Sequence, residues 1–189
     1  RNLARFSGSF ATTGIAGTAQ ILALDPGYSY SISGNLVSKP GKHIFRGNVS
    51  VENSSFNTSF LIPDDVTPGA NGLVLAYIWD PLTKKDFSSY YHPLKLSDEV
   101  LPDAPGNASP PQIEIFLGSY DFRPGDTVNT SPILYAKISD ENGINLTGSA
   151  GHNILLVINN SLQPIPVTEY FSYDADSYSA GTLIYQLPE

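Results

Sequence analysis

Asp140, Glu141, Asn142 and Asn145 place four carboxylate or carboxamide side chains within six residues, the densest such cluster in the chain. Calcium takes about six to eight hard oxygen ligands from carboxylates, side-chain amides and carbonyls. With Asp174 and Asp176 contributed from a later loop, the cluster is a candidate calcium site. The spacing is not that of the roughly twelve-residue helix–loop–helix calcium loop. The same groups also cap turns by accepting bonds from nearby backbone amides, and this is the better-supported reading. Asn142-Gly143 tolerates positive φ at both positions, Gly148 and Gly151 add two further permissive points, and His152 is expected to pin the turn through its ring. Asp64, Asp65 and Asp80 are read the same way, as turn caps before metal ligands.

Nucleophilic catalysis needs a base bonded to a nucleophile and oriented by a third group. Cysteine is absent, so thiolate nucleophiles, thiolate metal sites and disulfides are excluded from this chain. The histidines are His43, His92 and His152. His152 lies near Ser149 and Asp140, but no Gly-x-Ser-x-Gly elbow accompanies them. No catalytic constellation is legible. Tyr90 and Tyr91, and then Tyr170, Phe171 and Tyr173, form aromatic clusters that could stack on sugars or anchor a protein. Tyrosine and phenylalanine are also ordinary strand residues.

The elements that must position these groups are strands. Tyr28 to Ile32 alternates apolar and small polar residues, as a half-buried strand does. Pro40-Gly41 turns the chain into Ile44 to Val51, and Ser55 to Ile62 sets Phe56, Phe60 and Ile62 on one face. Leu73 to Trp79 is apolar on both faces, which predicts a central strand with Trp79 in the core. Ile113, Ile115 and Leu117, then Leu134, Ala136 and Ile138, then Ile154, Leu156 and Ile158, and finally Leu183, Tyr185 and Leu187 form a second alternating set. Turn-marked strands with no helical period predict an all-β protein of two tandem immunoglobulin-like β-sandwiches. The expected boundaries are 1–24 as a connector or edge strand, 25–97 as the first sandwich, 98–111 as a proline-rich linker and 112–189 as the second. Five strands at most are visible from 112 onward, against the roughly seven such a sandwich uses. The second sandwich is therefore expected to be cut short at Glu189, with its open edge covered by 1–24 or by a neighbouring molecule.

The chain has 189 residues, 41% apolar and 15% charged, with a net charge of −8. This composition is globular, and the charge is a poor fit to nucleic acid or an anionic membrane. No apolar run approaches the roughly 20 residues of a spanning helix. Starting at Arg1 without a leader, the chain reads as a processed or excised piece.

One further pattern runs in order through the second half: Pro111-Gln112-Ile113, Phe122 to Asp126, Pro132 to Ala136, Asp140 to Asn145, Gly151 to Ile154, Tyr170-Phe171, Asp176 to Tyr178 and Gly181 to Leu187. With looser matches at Ile44 to Gly47, Phe60 to Val66 and Ala76-Tyr77, it resembles the immunoglobulin-like region downstream of the catalytic domain in gingipain-type cysteine peptidases of Bacteroidetes. Within them the resemblance is above all to the sortase-like peptidase of the type IX secretion system. Asn153 departs from the aspartate of that pattern, and the peptidase half is not in this chain. The resemblance implies a non-catalytic accessory and docking segment, partnered by the upstream peptidase domain and secretion-system proteins, at the extracellular or bacterial outer-membrane surface. It places the Cys–His pair of the parent endopeptidase outside this chain; no cofactor is expected here, apart from calcium at the oxygen-rich cluster. The alternative is a free-standing cell-surface adhesion or carbohydrate-binding module that works through its loop aromatics.

Overall fold

The computed structural model describes residues 2–11, 14–97 and 109–188. Among these residues all regular structure is β, apart from one 3-10 turn at Thr168–Tyr170. Among the described residues no helix is long and apolar enough to cross a membrane.

The first half contains β1 (Asn2–Ser9), β2 (Gly17–Leu24), β3 (Tyr28–Ile32), β4 (Asn35–Lys39), β5 (His43–Val51), β6 (Ser55–Ile62), β7 (Gly69–Asp80) and β8 (Lys85–Leu96). The second contains β9 (Gln112–Leu117), β10 (Ile133–Ser139), β11 (Leu155–Leu156), β12 (Ile165–Pro166), β13 (Phe171–Tyr173) and β14 (Ala180–Gln186). One eight-stranded sheet runs β8-β7-β2-β5-β13-β14-β10-β9, and three two-stranded sheets pair β1 with β6, β3 with β4 and β11 with β12. The two halves thus meet within a single sheet. They meet at one parallel pair, Tyr173 opposite Gly47. A side chain at position 47 would clash, since a β-carbon there would lie 2.6 Å from the Phe45 ring and 2.9 Å from the β-carbon of Tyr173.

Alternation explains the core. On β2, Ala19, Ile21 and Ala23 point inward; on β7, Val74, Ala76 and Ile78 do. The β1–β6 ladder supplies aromatics to the same core. Phe56 contacts Phe6 and Phe10, and Phe60 stacks on Phe45 at 5.2 Å. The core continues without a break into Leu134, Ala136, Ile138, Phe171 and Leu183 of the second half.

Several expectations are corrected. Residues 1–24 are not a connector with one edge strand: they hold two strands, and β2 lies in mid-sheet between β5 and β7. Its small inward residues, Ala19 and Ala23, made the alternation easy to overlook. Nor do these residues cover the far edge. That edge is β9, which pairs with β10 on one side and ends the sheet on the other. Residues 28–32 are not half-buried: all five are exposed, and the chain reverses at Ser33-Gly34 rather than at Pro40-Gly41. Trp79 is 49% exposed, because among the described residues no layer covers the outer face of β7. The run from Ile154 to Ile158 shrinks to the two residues of β11. Most of the expected linker, 98–108, lies outside the described residues.

Candidate functional site

The turn between β10 and β11 folds onto the first half of the chain. Asp140 opens it, its Oδ1 accepting from the Asn142 amide at 2.7 Å and its carbonyl from the Gly143 amide at 2.9 Å. Gly143 has φ +70°, and a β-carbon there would sit 2.6 Å from Leu61 Cδ1. The conformation calls for glycine, and a β-carbon would in addition displace the Leu61 methyl and crowd the Tyr178 carbonyl at 3.1 Å. Ile144 is held from both sides by one phenol. Its amide donates to the Tyr173 hydroxyl, and that hydroxyl donates to its carbonyl, each at 2.7 Å.

Beyond Ile144 the turn reaches Asp65. Asn145 Nδ2 donates to Asp65 Oδ1 at 2.8 Å, and Thr147 Oγ1 donates to Asp65 Oδ2 at 2.6 Å. Asn145 Oδ1 accepts from the Thr147 amide at 2.9 Å, which fixes the amide orientation. Lys42 Nζ completes the joint by donating to the Asp65 carbonyl at 3.0 Å and to Ser149 Oγ at 3.1 Å. Partial burial pushes the Asp65 carboxyl up, but hydrogen bonds from Thr147, Asn145 and Ser149 outweigh it and hold the group at about 2.

Three other contacts tie the halves. The Tyr173 ring stacks on Phe45 at 5.2 Å. Asp176 accepts from the Ser50 amide at 2.8 Å and from Ser50 Oγ at 2.5 Å, while its own amide donates to the Asn48 carbonyl at 3.0 Å. The Arg46 guanidinium donates to the carbonyls of Glu169 and Phe171. Beside it opens a cleft of about 270 Å³ lined by His43, Arg46, Asn153 and Glu169 among others. Burial, and then the Arg46 charge, lower the His43 pKa against the opposing pull of Glu169, which favours the neutral ring.

The candidate residues are now placed. Asp140 caps its own turn, Asn145 is bonded to Asp65, Asp176 to Ser50, and Asp174 Oδ1 accepts from Thr182 Oγ1 at 3.1 Å. Among the described residues no three His, Asp or Glu side chains gather as a metal would require. Asp80 caps the loop after β7 through the Leu82 amide and the Thr83 hydroxyl. His152 is exposed, and its backbone amide, not its ring, closes the turn onto the Ser149 carbonyl at 2.9 Å. Ser149 Oγ meets Lys42, so the Ser149–His152–Asp140 grouping does not assemble as a triad.

Among the aromatics the structure corrects two. Phe171 and Tyr173 are 0% and 3% exposed, so neither can meet a ligand from solvent. Their i, i+2 spacing on β13 turns both inward. Tyr90, Tyr91 and Tyr170 are exposed. The sequence reading missed a further group. Leu75, Tyr77 and Trp79 alternate along the outer face of β7, with Tyr90 opposite Leu75 and Gln20 opposite Tyr77. The strict alternation of Leu73 to Trp79 contained that signal.

No protein-family model matches this chain, and neither does any curated protein sequence. Among solved structures it is similar to dimeric latent PorU from Porphyromonas gingivalis, at 28% identity and a TM-score of 0.47. That match covers 92% of this chain, and the chain spans 17% of the length of the other.

Proposed function

We propose that this chain is a non-catalytic accessory and docking segment of a gingipain-like cysteine peptidase of the type IX secretion sortase-like kind. In this reading the two halves are tandem immunoglobulin-like sandwiches at the outer-membrane surface. They hold the upstream peptidase domain among secretion-system proteins. The observation that carries it is the junction centred on Asp65. The polar turn that most resembles a ligand site is bonded to the other half of the chain. A turn committed in this way suits a spacer that fixes the geometry of its neighbours, and the ordered motifs from Pro111 to Leu187 supply the family. No cofactor is needed, so a calcium chelator should leave the melting temperature unchanged.

The test uses the native source and an antibody raised against this chain. A band much larger than this chain that is labelled by an active-site thiol probe is the expected result. A band of this chain's own size, unreactive to the probe, would overturn the reading.

The outer face of β7 favours a second reading, a glycan-binding surface. Tyr77 and Trp79 lie on one strand about 7 Å apart along it, with the Gln20 amide alongside. Rings so placed suit the apolar faces of successive sugars. Retention on immobilised glycans that disappears in Trp79→Ala would establish it, and retention unchanged by that substitution would exclude this face.

A further inference from the structure

The β3–β4 hairpin stands apart from everything above. Among the described residues its two strands pair only with each other, and every residue from Tyr28 to Lys39 is exposed except the half-buried Val37. Ser33 and Gly34, with φ of 50° and 82°, form its two-residue turn, so the backbone of the tip is tightly closed. A lone two-stranded hairpin is marginal in water and gains stability when its apolar side chains are covered. The register says what they are. Tyr28, Tyr30, Ile32, Asn35, Val37 and Lys39 share one face, while Leu36 stands on the other beside Ser29, Ser31 and Ser38.

We propose that this hairpin is a finger that dips its tip into the surface of a lipid bilayer. The distribution of apolar groups chooses the partner. Ile32 adjoins the turn opposite Asn35, and Leu36, one pair further along on the other face, is 75% exposed. A folded protein surface would cover one of them; fluid acyl chains surround both. Tyr30 and then Tyr28 lie about 7 and 13 Å behind Ile32, at the depth where phenols keep an apolar ring in the boundary and a hydroxyl in water. The ladder pairs the inward-facing backbone groups only, so the two outer edges keep the hairpin at the hydrated boundary of the bilayer and out of its hydrocarbon core.

Charge agrees. Residues 26–41 contain no Asp or Glu, and Lys39 is their one charged side chain, in a chain of net charge −8. The arm is about 16 Å long, roughly two Debye lengths at physiological salt. The acidic body is thereby screened from a membrane that the tip touches. Insertion rests on the apolar tip, so added anionic lipid should not strengthen it.

The chain lacks cysteine, so Ser33→Cys carries an environment-sensitive dye at the tip alone, with Leu162→Cys as a distant exposed control. Phosphatidylcholine vesicles, alone or with phosphatidylglycerol, are titrated against the full chain. The expected result is a blue shift at position 33 and none at 162. Adding I32S/L36S should weaken the response by about tenfold or more, from lost apolar burial. Because a double change could disturb the hairpin, Leu36→Asp alone provides a second variant, checked by circular dichroism. No shift at position 33, equal shifts at both positions, or a shift that survives both variants would overturn the proposal. So would a tip dye that responds to another protein from the native source and not to vesicles.

Discussion

Asp65 carries the charge of the junction, and its ionised form is the one the joint is built for. Its carboxyl is held at about 2, below an ordinary value of 3.8. A depressed folded-state value stabilises the protein above the ordinary value and loses that contribution as the pH falls toward about 2. Solvent screens part of the effect, because the group is only partly buried. Asp65→Asn should therefore lower the melting temperature by about 2–4 °C at neutral pH. The gap from the parent should narrow as the pH is lowered from about 4 to about 2; a gap independent of pH would contradict the assignment. Tyr173 gives a second measure. Tyr173→Phe keeps the stack on Phe45 but leaves the Ile144 amide and carbonyl without their shared partner. Denaturant unfolding should show a loss of about 1–3 kcal/mol, and no loss would mean that the hydroxyl is not the pin described.

At the level of elements, the sheet is sensitive where two segments crowd. Gly143→Ala meets both a positive φ and Leu61, and should cost about 1–3 kcal/mol or more; equilibrium unfolding measures it. Phe45 lies between Phe60 and Tyr173, so Phe45→Ala should cost about 3–5 kcal/mol. Trp79→Ala, on the open face, should cost far less by the same assay. These contrasts also show what the sequence could carry. Alternation located β5, β6 and β7 and named the inward face of β6, because period two is a local property. It could not say whether the other face is covered, which depends on layers distant in the chain. Hence Trp79 and Tyr28 to Ile32 were expected to be more buried than they are. The turn glycines Gly143, Gly148 and Gly151, all at positive φ, were legible for the same local reason. The turn's partner was not: Asp65 lies 80 residues from Asn145, and no pattern within the turn points to it.

Across the whole molecule, the sequence divides into two β halves around a proline-rich stretch, yet one sheet and one core run through both. The contacts between them are of different kinds: the Asp65 network, Asp176 on Ser50, Arg46 on two carbonyls, and Tyr173 on Phe45. Together they should make the halves unfold as one unit. Scanning calorimetry of the full chain tests this most directly, with D65A/D176A as the comparison. A single transition in the parent chain that splits in the double variant is the result predicted here. Two separate transitions in the parent, unmoved by the substitutions, would contradict the claim that the 139–154 turn is a clasp joining the two halves.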